Sequence, residues 1–312
     1  MSAKSGPVGV IEVLRAGALT TVQDQGRAGF AHLGVPRSGA LDPGALRLAN
    51  RLVGNPETAA GLEITLTGCE LRFTRAVCVA LTGAEAEIRI DGHPAGVARR
   101  PDRQPAEVGR WTDRPADLGR PLALPAGAVL RIGPARSGLR TWLAIAGGID
   151  VAPVLGSRAT DTLSGLGPPP VRDSDRLPLG TPVGDPAPVD VTVTPPVPAE
   201  LRLTLRLGPR HDWFTPAALD LLLTTPYAVS PVSNRVGARL AGAALPRAVT
   251  GELPSEGLVL GAVQVPADGQ PLIFLADHPT TGGYPVIGVV DDVTPLAQAR
   301  PGTTVRFHGP QR

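Results

Sequence analysis

The chain has 312 residues, a formal net charge of +2 and 42% hydrophobic residues, so it can form two domains with ordinary cores. Its arginines are scattered between acidic residues without a basic stripe or interleaved aromatics, which argues against nucleic-acid binding. The single lysine, Lys4, excludes a P-loop, a Schiff-base site and a biotin carrier in a folded domain, because each needs a lysine in place.

The sequence predicts a soluble, cytoplasmic protein. The N-terminus is polar and lacks the apolar core of a signal peptide, and no apolar run approaches the ~18 residues of a membrane span. The two cysteines, Cys69 and Cys78, form no CxxC motif, which favours two core thiols in a reducing compartment over a disulfide.

Two helices are predicted, each started by a capping residue and a proline. In LDPGALRLANRLVGN, Asp42 suits the N-cap, Pro43 the first helical position, and Gly54 the position past the end. The apolar face of this helix consists of Ala45, Leu46, Ala49, Leu52 and Val53. In FTPAALDLLLTT, Thr215 suits the N-cap and Pro216 the first position.

Most of the remaining chain is predicted to form short strands. These segments are alternating or fully apolar and are bounded by Gly, Pro or Asp. They are IEVLRAG (11–17), LEITL (62–66), ELRF (70–73), VCVAL (77–81), AEIRI (86–90), AVLRIG (128–133), RTWLAIAG (140–147), LRLTLRLG (201–208), GAVQV (261–265), PLIFLA (271–276), PVIGVV (285–290) and TTVRF (303–307). Short strands at close spacing indicate a mainly β fold of barrels or sandwiches.

A faint internal repeat divides the chain into halves. DPGAL at 42–46 resembles TPAAL at 215–219, and PAGAVLRIG at 125–133 resembles RPGTTVRFHG at 300–309, at similar offsets; chance similarity of Gly-rich turns is the alternative. We therefore predict a first half at residues 1–165 with a long Gly-rich loop at 18–42, a Pro-rich connection at 166–200, and a second half at 201–312.

The stretch VQDQGRAGFAHLGVPRSGALD, residues 22–42, is the first candidate site. The second half reaches its helix through a short connection, so this stretch behaves as an insertion, and long ordered loops tend to be functional. It lacks the lysine and glycine spacing of a phosphate loop. Gln23, Asp24, Arg27 and Ser38 would suit a small substrate with amide and carboxylate groups; a structural loop is the alternative.

Three later stretches also carry candidate groups. PVSNRVGARLAG (231–242) contains Asn234 and Arg235, and an arginine can donate two parallel hydrogen bonds to a carboxylate. GELPSEGLVLGAVQVP (251–266) offers Glu252 and Glu256 as possible general bases, with Gln264 on the following strand. Surface turns and solvated acids are the alternatives.

The last stretch, LADHPTTGGYPVIG (275–288), combines groups that suit an anion or oxyanion site. They are Asp277, Thr280, Thr281, Gly282, Gly283 and Tyr284. A plain hairpin turn is the alternative. The five histidines show no HxH, HxxxH or HExxH spacing, so no metal site is predicted.

Taken together, these motifs resemble the biotin-dependent carboxyltransferase family, and within it the branch of bacterial 5-oxoprolinase C subunits. The resemblance runs from about residue 10 to 308 and includes TTVQDQGRAGFAHLGVPRSGALDPGALRLANRLVGN, GSRATD, SNRVG, ELPSEG, GAVQVPADGQP and LADHPTTGGYPVIG. The polar segment at 96–124 departs from the family pattern, and no role is assigned to it.

The resemblance implies a mainly β fold of two cyclophilin-like barrel halves with a few short helices. It also implies two partners, a B subunit as the nearest and an A subunit. Together they would open 5-oxo-L-proline to L-glutamate with ATP, which one of the partners could bind. Two alternatives stay open. One is a carboxyltransferase component of the urea carboxylase type, which would use a separate biotin carrier, and the other is a regulatory protein that antagonises a kinase inhibitor.

Roles follow from the matched motifs. Asp24, Glu256, Asp277 and Tyr284 are the expected catalytic residues, with Glu256 or Asp277 transferring protons. Arg27 or Arg235 is expected to hold the substrate carboxylate. The remaining expected substrate-binding residues are Gln23, Ser38, Asn234, Gln264, Thr280, Thr281, Gly282 and Gly283.

Overall fold

The computed structural model describes residues 9–91, 114–189, 191–192, 196–251 and 253–310. Lys4, His93, Glu252 and most of the polar segment at 96–124 lie outside these ranges. The chain divides into two compact units, and each is described separately. Unit 1 comprises Met1–Gln25, Pro43–Thr160 and Gly167–Pro195, and unit 2 comprises Gly26–Asp42, Asp161–Leu166 and Pro196–Arg312.

The described residues of unit 1 form a nine-stranded sheet with one helix. Its strands are Val10–Arg15 (β1), Leu19–Gln23 (β2), Gly61–Thr65 (β3), Cys69–Phe73 (β4), Val77–Asp91 (β5), Arg114–Ala116 (β6), Leu122–Leu124 (β7), Val129–Ile145 (β8) and Arg176–Pro178 (β9). The main path runs β2-β3-β8-β4-β1-β9, and β5 pairs with β6, β7 and β8. Alternating apolar residues of these strands form one core, which includes Ile11, Leu62, Leu71, Val79 and Leu143.

The two longest strands of unit 1 each join two segments that the sequence predicts as separate strands. Residues 77–81 and 86–90 both lie in β5, and residues 128–133 and 140–147 fall largely within β8. The β5–β8 ladder contains register shifts between Gly83 and Ile88. Gly83 has a φ of +94°. The pairing of β5 with β8 therefore continues past Gly83 by means of a β-bulge, although a glycine at this position in the sequence is typical of a turn.

The first predicted helix is confirmed. It spans Pro43–Leu52 (α1) and begins directly after Asp42. Leu46, Ala49, Leu52 and Val53 are buried, so the apolar face lies inward as its spacing predicts. Gly54 follows the last turn with a φ of +75°, which favours glycine.

Unit 2 contains a closed seven-stranded barrel. The strands described in unit 2, inside and outside the barrel, are Glu200–Leu207 (β10), Tyr227–Val229 (β11), Gly237–Ala241 (β12), Glu256–Gly257 (β13), Ala262–Gln264 (β14), Leu272–Phe274 (β15), Thr281–Gly282 (β16), Val286–Val290 (β17) and Thr304–His308 (β18). The barrel order is β10-β17-β14-β15-β12-β11-β18, and the parallel pairing of β10 with β18 closes it. The short strands β13 and β16 form a separate two-stranded sheet.

Short helices complete unit 2. The second predicted helix is confirmed as Pro216–Thr224 (α2), and the hydroxyl of Thr215 accepts a hydrogen bond from the amide of Ala218 at 3.2 Å. This is the N-cap that the sequence predicts. Short 3-10 helices are Ala31–Leu33, His211–Trp213 and Thr294–Gln298.

The two turns that the repeat aligns have the same geometry. In turns 125–128 and 300–303, the amide of the fourth residue donates to the carbonyl of the first at 3.2 and 3.0 Å. The third residue is glycine in both, and Gly127 and Gly302 have φ values of +82° and +86°. Each turn leads into a strand of its own unit, which supports a common local design in the two halves.

The predicted mainly β architecture with a few short helices is confirmed, with a closed barrel in unit 2 and a half-barrel sheet in unit 1. Residues 26–42 and 161–165, which the sequence places in the first half, group with unit 2, as does Leu166, which it places in the connection. In the described part of the chain, no helix is both long and apolar enough to cross a membrane.

Candidate functional site

The carboxylate of Asp277 is the centre of a buried polar cluster in unit 2. Its two oxygens accept hydrogen bonds from Nε and Nη2 of Arg235 at 2.9 and 3.0 Å and from the hydroxyl of Ser38 at 2.6 Å. They also accept hydrogen bonds from the amide and the hydroxyl of Thr162 at 3.0 and 2.7 Å. The side chains of Arg235 and Asp277 are 1% and 0% exposed. One side chain therefore joins three segments that are distant in sequence.

Local backbone structure brings Arg235 and Asp277 together. Asn234 forms an Asx turn, because its side-chain oxygen accepts the amides of Val236 and Gly237 at 2.8 and 3.3 Å. The amide of Asp277 in turn donates to the carbonyl of Arg235 at 3.1 Å. Asn234 itself is exposed, so its observed role is to shape the turn that directs Arg235 inward.

Burial and hydrogen bonding have opposite effects on the pKa of the Asp277 carboxyl group. Burial alone would raise the pKa of this carboxyl, but the charge of Arg235 and the hydrogen bonds from Arg235, Ser38 and Thr162 outweigh burial and lower the pKa below its ordinary value. An acid that is ionised and fully hydrogen-bonded is a poor proton acceptor. The geometry therefore favours a positioning role for Asp277 over the predicted proton transfer.

Segment 26–42 is attached to the barrel by main-chain and side-chain contacts. The amide of Arg27 donates to the carbonyl of Arg37 at 2.8 Å, which closes the segment on itself, and the amide of Ser38 donates to the carbonyl of Ala276 at 3.1 Å. Nη2 of Arg235 also donates to the carbonyl of Gly39 at 2.6 Å. Ser38 has a φ of +54°, an unusual conformation for a residue with a side chain.

The start of the same candidate stretch belongs to unit 1. Asp24 is buried and accepts the hydroxyl of Ser157 and the amide of Arg158, both at 2.6 Å. Gln23 is fully buried, and its amide nitrogen donates to the hydroxyl of Thr21 and the carbonyl of Thr160, both at 3.0 Å. The predicted substrate-binding loop is thus two pieces, each anchored in its own unit.

A second cluster in unit 2 is built on the sheet of β13 and β16. Glu256 pairs with Gly282 and Gly257 with Thr281, so the motifs ELPSEG and TTGG lie side by side. Nε of Arg210 donates to the two carboxylate oxygens of Glu256 at 3.0 and 3.1 Å, and Nη2 of Arg210 also contacts Glu256. This ion pair is partly exposed, at 36% for Arg210 and 30% for Glu256.

The strand residues beneath this sheet fix its position. Gln264 is 3% exposed, and its amide nitrogen donates to the carbonyl of Tyr284 at 2.8 Å. A Cβ atom on Gly282 would lie 2.7 Å from that nitrogen, so glycine permits the close approach. The carbonyl of Thr280 accepts the amide of Leu258 at 2.8 Å. The side chain of Tyr284 is exposed.

Arg210 favours the ionised form of Glu256. Hydrogen bonds from Arg210, together with its charge, lower the pKa of Glu256 below its ordinary value against the opposing effect of burial. While this pair is formed, Glu256 is an ionised carboxylate bound to Arg210.

Two of these residues are missing from the sequence-based candidates. Arg210 lies in GPRHDWF, which has the sequence of a short connection, and Thr162 directly follows the motif GSRATD. Thr162 could be suspected from that position, whereas Arg210 carries no local signal. Within the described ranges, no group of three or more His, Cys, Asp or Glu residues could hold a metal ion.

Comparison with known proteins identifies the family. Residues 33–309 match the carboxyltransferase domain, subdomain A and B. The chain therefore belongs to the carboxyltransferase domain family.

Two named relatives indicate the range of this family. The chain is 39% identical to the C subunit of 5-oxoprolinase from Escherichia coli K12 over 96% of this chain and 90% of that protein. It is 32% identical to urea amidolyase of Saccharomyces cerevisiae over 95% of this chain but 16% of that protein.

Solved structures share the fold. The crystal structure of TTHA0988 matches with a TM-score of 0.81 and 34% identity over 98% of this chain, and the chain spans 56% of that one. The Kluyveromyces lactis urea amidolyase matches with a TM-score of 0.83 and 27% identity over 97% of this chain and 19% of that chain. The chain thus corresponds to one part of these longer proteins.

Proposed function

We propose that the chain is the C subunit of an ATP-dependent 5-oxoprolinase, which opens 5-oxo-L-proline to L-glutamate together with the A and B subunits. The observation that carries the proposal is the 39% identity to the Escherichia coli protein of that name, which extends over 96% of this chain and 90% of that protein. A match that spans nearly both chains supports an equivalent role in an equivalent assembly.

The proposed reaction explains the need for ATP. A lactam is a stable amide, and phosphorylation of its oxygen creates a leaving group before water attacks. We assign ATP to the assembled complex, because the sequence of this chain contains no P-loop lysine.

The two clusters of unit 2 have different proposed roles. The cluster around Asp277 holds segments 26–42 and 161–166 on the barrel, so Asp277, Arg235, Ser38 and Thr162 act as positioning residues. The cluster of partly exposed Glu256, exposed Tyr284 and the buried Gln264 behind them is the proposed substrate-facing site. Of the two acids expected to transfer protons, Glu256 is the one that solvent and a ligand can reach.

The experiment is reconstitution. The chain is co-expressed with the A and B subunits from the same genome, and glutamate release from 5-oxo-L-proline is measured with and without ATP. We expect release that requires both ATP and this chain. Equal glutamate release in a complex that lacks this chain would refute the proposal.

A carboxyltransferase component of the urea carboxylase type is the second candidate, and the match to urea amidolyases favours it. It predicts carboxylation of urea that depends on a separate biotin carrier. Tight binding to a B-like subunit without turnover of either substrate would instead indicate a regulatory protein.

A further inference from the structure

The arginine best placed to meet a ligand carboxylate is Arg210. Arg235 is 1% exposed, and it already contacts both oxygens of Asp277 and the carbonyl of Gly39. Arg27 is 2% exposed. Arg210 is 36% exposed and directly contacts Glu256 in one of the motifs that define the candidate site.

Arg210 is held in place by backbone next to the same site. Its amide donates to the carbonyl of Val286 at 3.3 Å. The preceding carbonyl of Pro285 accepts the amide of Val265, and that of Tyr284 accepts the side chain of Gln264. The guanidinium therefore projects from a fixed main chain at the point where β14, β16 and β17 converge.

The pairing between Arg210 and Glu256 is one that a ligand can exchange. An arginine binds any carboxylate through the same planar fork, so a ligand carboxylate can replace that of Glu256 with equivalent hydrogen bonds. The pair is also partly solvated, and partly exposed ion pairs contribute little net stability. The Arg235–Asp277 pair is sealed from solvent and offers no comparable exchange.

We propose that Arg210 binds the carboxylate of the substrate by exchanging it for Glu256, and that the released Glu256 accepts a hydrogen bond from the N–H of the same ligand. The ligand class is a small carboxylate with an adjacent N–H, as in a lactam carboxylate. Its identity as 5-oxo-L-proline rests on the proposed function. Arg210 thus takes the role that the sequence motifs suggest for Arg27 or Arg235.

The exchange predicts opposite effects for the two partners, whereas a structural ion pair predicts similar ones. Binding of 5-oxo-L-proline and of 2-pyrrolidinone, which lacks the carboxylate, is measured by calorimetry on the full-length chain, alone and with the A and B subunits, without ATP. Arg210→Gln should weaken 5-oxo-L-proline binding by about tenfold or more, since a charged hydrogen-bond partner is lost. Glu256→Gln should tighten it several-fold, since the competing carboxylate is gone and the side-chain oxygen of glutamine can still accept the ligand N–H.

Matched controls come from a second arginine pair on the same barrel. Arg206 and Asp291 form a similar two-point contact, at 2.6 and 3.0 Å, and are also partly exposed. Arg206→Gln and Asp291→Asn make the same changes in net charge and should leave binding of both probes unchanged. Arg210→Lys keeps the charge without the fork and should raise KM more than it lowers kcat in the ATP-dependent reaction.

Each outcome decides one question. Weaker 5-oxo-L-proline binding in Glu256→Gln, wild-type binding in Arg210→Gln, or equal effects on 2-pyrrolidinone would overturn the carboxylate site. If the complex releases glutamate but Arg210→Gln binds normally, the site fails and the proposed function stands. If no glutamate is released but Arg210-dependent binding persists, the proposed function fails and the carboxylate site stands.

Discussion

The buried ion pair of Asp277 with Arg235 gives the sharpest stability prediction. Asp277→Asn keeps the shape of the side chain but places an amide group where a carboxylate received five hydrogen bonds, and it leaves the charge of Arg235 buried without compensation. Removing one member of a buried pair costs about 3–5 kcal/mol. This is a large fraction of the roughly 5–15 kcal/mol that stabilises a typical domain.

The assay for this prediction is scanning calorimetry, with Asp291→Asn as the matched control. Asp291 makes a similar two-point contact with Arg206, but in an exposed pair. We expect Asp277→Asn to lower the melting temperature by roughly 6–20 °C and Asp291→Asn to leave it near that of wild type. Similar losses in both variants, or none in Asp277→Asn, would refute the reasoning.

A second readout tests whether the pair holds segment 26–42. In Asp277→Asn, the hydrogen bond from Ser38 is weakened, so trypsin should cleave after Arg37 faster than in wild type at temperatures where both are folded. Adding Arg235→Met to Asp277→Asn removes the uncompensated charge and should recover part of the lost stability. Cleavage that stays at the wild-type rate would argue against the tether.

The pH dependence follows from the lowered pKa of Asp277. Because the folded-state pKa lies below the unfolded value of about 3.9, this carboxylate stabilises the fold fully above that value. The contribution is lost as the pH falls through the folded-state pKa. The stability difference between wild type and Asp277→Asn should therefore be constant above about pH 5 and should shrink below about pH 4, as measured by urea unfolding at each pH.

Three further predictions test local features. Gly282→Ala should lower stability and glutamate release because its Cβ would lie 2.7 Å from the side-chain nitrogen of Gln264 and displace it from its hydrogen bond to Tyr284, whereas Gly257→Ala, with nothing within 4 Å, should not. Thr215→Ala should lower the free energy of unfolding by about 1 kcal/mol through loss of the N-cap; no change would show that the cap is not needed. Under native conditions a thiol reagent should label Cys78 before Cys69, since burial raises the pKa of Cys69 to about 12; the reverse order would contradict this burial.

Features that depend on near neighbours in the chain could be predicted from the sequence. Both helices begin at the predicted prolines, because the φ of proline suits the first helical turn, and Thr215 also caps α2. The predicted strand segments, which are alternating or fully apolar, all coincide with observed strands. The observed strands that the sequence did not predict are β2, β6, β7, β9, β11, β12, β13 and β16. The last two have only two residues each, which are too few to show a period.

The partners of the candidate residues were decided by the tertiary structure alone. Arg235 and Asp277 were both recognised in sequence motifs, but nothing local shows that they bind each other or that Ser38, 239 positions from Asp277, completes the cluster. No sequence motif marks Arg210 as a site residue, and only the folded barrel shows that it contacts Glu256, 46 positions away. The sequence determines which chemical groups are available, and closure of the barrel determines which groups are sealed as structural pairs and which stay within reach of a ligand.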